Sequence, residues 1–262
     1  MSKIILVTGA SSGLGAATAK ALAGAGHTAY IGIGPVSGSP FGRPVEPDDR
    51  SPAHGGRIHP VALDIADQRS VSTAVEEITA ETGRIDVVIH TMGPVPRGPV
   101  ESFTPYQLAQ IYDAHVLSTQ RVNRAVLPQM RERRDGLLVW AVSSGQHANT
   151  VPYLALHSEA VTTIDHLGSS YGRELTNFEI ETTIVDSGSL TPDPGRHQRM
   201  VYPDDTETAG AYEDQYPGLL DRVDVILAER ALINAGVAAT ARAIVSVVDS
   251  PKGSRPLRVT VD

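Results

Sequence analysis

The start of the chain limits its fold more than any other stretch. "KIILVT" (3–8) is a short, unbroken apolar run, and "TGASSGLG" (Thr8–Gly15) follows at once and opens a helix-like pattern, "GLGAATAKALAGAG". An uninterrupted run of this length reads as a strand buried on both faces. The glycines at 9, 13 and 15 permit a tight turn, and the helix that follows has Leu14, Ala17, Ala21 and Leu22 on one face. A buried strand, a glycine turn and a helix in that order begin a βαβ unit.

The same alternation runs on. "HTAYIGI", "HPVALD", "IDVVIH", "LLVWAV" and "IETTIV" read as further buried strands, with helical patterns at about 69–82, 104–133 and 157–175. This order predicts an α/β fold: a single Rossmann-type, doubly wound parallel sheet flanked by helices, with right-handed crossovers, spanning 1–262. With 262 residues, 41% of them hydrophobic, the chain can bury a full core without staples. Two segments break the rhythm. Residues 35–57 are rich in Pro, Gly and Ser and read as a surface loop. Residues 188–220 carry four prolines and Tyr202, Tyr212 and Tyr216, and lie where a substrate lid or a solvated loop is expected.

Several function classes are disfavoured by composition. A formal net charge of −8 argues against nucleic acid or an anionic membrane as partner. The chain has no cysteine, which removes disulfides, thiolate metal sites and a cysteine nucleophile. No apolar stretch is long enough for a signal-peptide core or a membrane span, so a soluble, cytoplasmic protein acting on a small molecule is expected.

The glycine turn carries the first functional signal. Gly9, Ser12, Gly13, Leu14 and Gly15 form a turn that a pyrophosphate can approach closely, at a helix N-terminus with free N–H groups and a favourable dipole. Asp64, followed by Ile65 at the end of "HPVALD", is a candidate acceptor for an adenine amino group. The end of the second strand is bare. Gly34 there offers no charged side chain toward a ribose, and Arg43, Arg50 and Arg57 read as surface charge.

On these residues the chain resembles the short-chain dehydrogenase/reductase family along essentially its whole length. Thr8, Gly9, Gly13 and Gly15 match its TGxxxGxG motif, Asp64 its adenine-side Asp, and "VVDSPKGSRPLRVTVD" its final helix and strand. The resemblance implies NAD or NADP binding, hydride transfer at a carbonyl or alcohol, and a homodimer or homotetramer built through the central helices.

The departures gather where nicotinamide and substrate would meet. The family's Asn-Asn-Ala-Gly aligns with His90, Thr91, Met92 and Gly93, which puts a large side chain at the small position. The Asn of the central helix aligns with His115, in phase with Leu108, Ile111 and Val122 and so facing inward. The catalytic Ser is kept as Ser144. The Tyr and Lys become His157 and Val161, and the Pro beside the nicotinamide becomes Ser187. An alternative register makes Tyr153 the proton donor, at the cost of the downstream spacing.

His157, Ser144 and His115 are therefore the candidate catalytic groups, with His90, Met92, Tyr153, Val161 and Ser187 lining the pocket. Imidazole exchanges protons near neutrality without a Lys. Zinc held by His90, His115, His157 and His147 is set aside in favour of hydrogen-bonded imidazoles, because no local ligand spacing is present. Three readings follow. The preferred one is non-redox acid–base chemistry (dehydration, isomerisation or cyclisation) on a small apolar carbonyl or hydroxyl compound, with the dinucleotide non-redox or absent. The second is a divergent NAD(P)-dependent oxidoreductase with His157 as proton donor. The third is a catalytically silent dinucleotide-binding or partner subunit.

Overall fold

The computed structural model describes residues 2–9, 13–34, 57–91, 93–143, 151–187, 200–233 and 236–261, with side chains from 227 to 233 left aside. Seven strands form one all-parallel sheet: β1 (Ile4–Val7), β2 (Thr28–Ile33), β3 (Arg57–Ala62), β4 (Val87–Thr91), β6 (Gly136–Val142), β7 (Ile180–Asp186) and β9 (Arg258–Thr260), in the order β3-β2-β1-β4-β6-β7-β9. Two short strands, β5 (Val95–Pro96) and β8 (Met200–Val201), pair separately in parallel. The helices are α1 (Gly13–Gly24), α2 (Gln68–Thr82), α3 (Pro105–Tyr112), α4 (Ser118–Arg133), α5 (Ala155–Glu174), α6 (Thr206–Gln215), α7 (Leu219–Ile233) and α8 (Val237–Asp249).

Side-chain alternation along the strands builds two cores from one sheet. Ile5, Val7, Val87, Ile89, Leu137 and Val139 face α1 and α8. Leu6, Val88, Leu138 and Trp140 face the other way, onto α2, α4 and α5. Both faces are covered, which is why these strands read as continuous apolar runs. β3 is the exception. It lies at the sheet edge, is mostly exposed and carries Pro60, a residue that an edge strand tolerates.

Local signals set the helix ends. Asp67 caps α2 by accepting the Arg69 N–H at 2.9 Å, and Gly83 ends it at φ 80°. Thr104 and Gln107 form a reciprocal capping box at the start of α3.

Two sequence expectations need correction. The buried face of α1 is Gly15, Thr18, Ala19, Leu22 and Ala23; Leu14, Ala17 and Ala21 are half-buried, because the helix is wedged between the sheet and α8. The helix expected over 104–133 is interrupted by a π-turn, Asp113–Leu117, which holds His115. The described part of 188–220 supplies β8, α6 and the start of α7.

Candidate active site

The strand order reverses between β1 and β4, so a crevice opens at the carboxyl ends of these strands, where open α/β sheets bind ligands. Gly9 and Gly13 stand there with φ of 66° and 63°, the left-handed region that favours glycine. A Cβ on Gly9 would come 2.5 Å from the Thr91 hydroxyl, which itself donates to the Thr8 carbonyl. Gly9 is thus held close against β4, and Gly13 opens α1. Gly15 is buried, Leu14 half-buried, and Ser12 lies outside the described residues.

Asp64 and Ile65 follow β3 on the same edge of the sheet. Asp64 is buried, and one carboxylate oxygen accepts the Ala66 N–H at 2.9 Å in an Asx-type turn. The bare ribose position has a packing cause: a Cβ on Gly34 would sit 3.0 Å from the Leu63 carbonyl oxygen. Arg57 opens β3 at the amino end of the sheet, away from the crevice, and is exposed, as surface charge should be. Arg43 and Arg50 lie outside the described residues.

The histidines collect deeper in. His90 points from β4 toward α4, where its Nε2–H donates to the Asn123 side-chain oxygen at 2.8 Å. Its ring lies 5.2 Å from Trp140, which stacks in turn on Tyr171 at 5.7 Å. Burial pushes the His90 pKa down to about 4, against the opposing hydrogen bond to Asn123.

His115 projects from the π-turn, a helical irregularity common at functional sites. Its Nε2–H donates to the Pro94 carbonyl at 2.7 Å, and the ring lies so close to Gly93 that a Cβ there would be 3.2 Å away. Burial again lowers the pKa to about 4, with the Pro94 hydrogen bond opposing. At neutral pH His115 is therefore a neutral imidazole with the proton on Nε2. Its Nδ1 is a buried acceptor without a partner among the described residues.

His157 stands in the first turn of α5, fully buried, with its ring edge-on to His115 at 6.4 Å between centroids. One turn on, Val161 is also buried and belongs to the core with Trp140, Ile164 and Ile184. The position where the resemblance led to the expectation of a lysine is thus filled by hydrocarbon packing. Ser187 is buried after β7, its N–H donating to the Val142 carbonyl at 2.9 Å. Tyr153 adopts φ 65° in the turn before α5. Burial, then the nearby charge of Glu213, raises its pKa, so it holds its proton more tightly than a free phenol. Ser144, Met92 and His147 lie outside the described residues.

A cavity of about 20 Å³, room for roughly one water, lies between the two ends of the site. Thr8, Ile65, Thr91, Gly93, His90 and His115 are among its walls, and His157 is not. Among the described residues no group of three or more His, Asp or Glu gathers as a metal-ligand set. None of their helices is long and apolar enough to cross a membrane.

Sequence reading missed Asn123, Trp140 and Arg97. The first was in reach, since it lies eight residues beyond His115 on the inward face of the same helical run. Trp140 was read as strand core only, and Arg97 carries no pattern at all.

Comparison with known proteins bears on this geometry. A family model described as short chain dehydrogenase matches residues 3–199. The 3-ketodihydrosphingosine reductase of Bacteroides thetaiotaomicron is 29% identical over 188 residues, covering 72% of this chain and 64% of its own length. The chain therefore spans somewhat less than two thirds of that relative. Among solved structures, a short-chain dehydrogenase from Streptomyces avermitilis superposes with TM-score 0.75 at 26% identity, over 100% of this chain and 89% of its own. A metagenomic short-chain oxidoreductase in complex with NADP superposes with TM-score 0.69 over 99% of this chain and 96% of its own; at 19% identity it supports the fold alone.

Proposed function

Since this chain belongs to the short-chain dehydrogenase family, we propose that it is an NAD(P)-dependent oxidoreductase acting on a carbonyl or alcohol, with His157 in the proton-exchanging role. The observation that carries the reading is the pair of left-handed glycines, Gly9 and Gly13, at the switch point of the sheet and the N-terminus of α1. Non-redox acid–base chemistry, the reading preferred on sequence, finds no support in relatives described as reductases and dehydrogenases.

The residues present suit a dinucleotide at its pyrophosphate. Gly9 and Gly13 bring no side chain to the two left-handed positions, and the N-terminus of a helix such as α1 offers N–H groups and a favourable dipole to an anion. Asp64 and Ile65 flank the adenine side. A bound dinucleotide would supply or accept the hydride. His157 would hold the proton that the substrate oxygen gains or loses, and Ser144 would donate a hydrogen bond to that oxygen. His115, kept neutral and Nε2-protonated, would offer Nδ1 to a water in the neighbouring cavity. Val161 offers no cation to a ribose, so binding would rest on the glycine turn and the adenine side. A homodimer or homotetramer belongs to the same proposal; light scattering that reports a monomer over a wide concentration range would remove that part.

The test is calorimetric titration with NADPH and NADH, followed by turnover on a panel of ketones, short 3-keto compounds included. Binding below millimolar together with dinucleotide oxidation is expected. Absence of binding of both NADPH and NADH at millimolar concentration would overturn the proposal.

A further inference from the structure

Arg97 is the second largest fully buried side chain among the described residues, with 1% exposure, and the chemistry proposed above does not use it. Arginine is almost never buried this completely unless it is paired. It follows β5, and all its described partners lie in the 200–226 segment. Its backbone N–H donates to the Val201 carbonyl at 2.8 Å. Its guanidinium donates to the Leu220 carbonyl at 2.5 Å and to the Asp224 carboxylate, and one nitrogen lies 3.7 Å from the Met200 sulfur.

That segment packs against the start of α5, the helix that carries His157. Val201 packs with Leu156 and Ala160, which flank the histidine on α5, and with Ile111 on α3. Val223 packs with Val95, Val151 and Leu154, which lead into the first turn of α5. The same segment is also tied to α3 by Gln107, which donates to the Tyr202 carbonyl and accepts the Asp204 N–H, and to Glu101 by the Tyr212 hydroxyl; of these ties only that of Arg97 is a fully buried charge.

We infer that Arg97 is a positioning residue that pins the 200–226 cover over His157, and that Asp224 is its releasable partner. The inference rests on the function proposed above. Two asymmetries support release. The Arg97 side chain is 1% exposed whereas that of Asp224 is 50% exposed, so water and ions reach one side of the pair and not the other. The Nε of Arg97 is buried without a partner among the described residues, so the closed state leaves one donor unsatisfied. A pinned cover excludes water from the reacting groups, and an unpinned one admits the substrate.

Hydrogen exchange read by mass spectrometry tests this on the whole chain. Asp224→Asn keeps the shape and removes the charge. It should speed exchange in peptides within 200–226 by about tenfold or more, while β1, β4 and β6 keep their protection. Arg97→Lys keeps the charge but loses the planar fork that serves Leu220 and Asp224 together, and should fall between Asp224→Asn and the parent. In both variants kcat should drop several-fold with dinucleotide affinity unchanged. Exchange in 200–226 within twofold of the parent in both, or acceleration spread equally over the central strands, would overturn the inference. Exchange needs no turnover, so a localised change in a protein without reductase activity would uphold the pin and sink the oxidoreductase reading instead.

Discussion

The glycine turn after β1 and the first turn of α5 stand at the same edge of the same sheet, yet they hold their functional groups by different means. At the proposed nucleotide end the groups on offer are backbone: left-handed φ at Gly9 and Gly13, and the N-terminus of α1. At the chemical end they are imidazoles, and each one's behaviour follows from what surrounds it. His90 and His115 are driven neutral by burial and fixed in tautomer by Asn123 and Pro94, while Val161 is packed in the core beside Trp140. A site made of backbone is read from glycines. A site made of buried side chains is read from its neighbours.

The comparison can be broken first at its nucleotide end. Gly13→Val puts a branched side chain at φ 63° in the turn. It should abolish dinucleotide binding in calorimetry, with a strain cost of about 1–3 kcal/mol in chemical unfolding. Retained affinity would mean that the turn is not the cradle.

The chemical end should respond in the opposite way. His157→Ala is expected to lose about 10²-fold or more in turnover while nucleotide affinity stays as it was. Unchanged turnover would move the proton transfer away from His157.

Val161→Lys, which would restore the family's cation, sharpens the contrast. Val161 is 2% exposed in the core beside Trp140. An ammonium there lacks a partner, and destabilisation of about 3 kcal/mol or more in urea unfolding is expected. A stable variant with raised hydride transfer, together with His157→Tyr, would show that the core opens more readily than its packing implies.

The smallest effect is on pH dependence. His90 and His115 titrate at about 4 in the fold against 6.5 for the free group, so the unfolded chain binds more protons between those values. Their contribution is fully present above pH 6.5 and is lost as pH falls toward 4. The stability difference between pH 7 and pH 4.5 should shrink by about 2 kcal/mol in His115→Asn relative to the parent, measured by denaturant titration at both pH values. Parallel curves for parent and variant would mean that His115 is better hydrated than its burial indicates.

Much of this was legible in the residues. The seven-strand parallel sheet follows from apolar runs separated by helical patterns, because a strand covered on both faces has no polar side to show. The glycine turn was legible because φ above zero is a demand that few residues besides glycine meet. The π-turn at His115 left no such mark, since the periodicity on either side of it continues almost in phase. The bareness of position 34 was visible, but its cause, the Leu63 backbone 3.0 Å away, belongs to the pairing of β3 with β2.

By itself the sequence determined the fold class and the glycine turn after the first strand, because these depend on local pattern and residue type. Tertiary structure decided the rest. It made His90 and His115 neutral, packed Val161 into the core, raised the Tyr153 pKa by burial, and buried Arg97 among partners from 200–226. Each of these is a matter of desolvation and of partners brought from distant parts of the chain, and neither is written in the spacing of neighbouring residues.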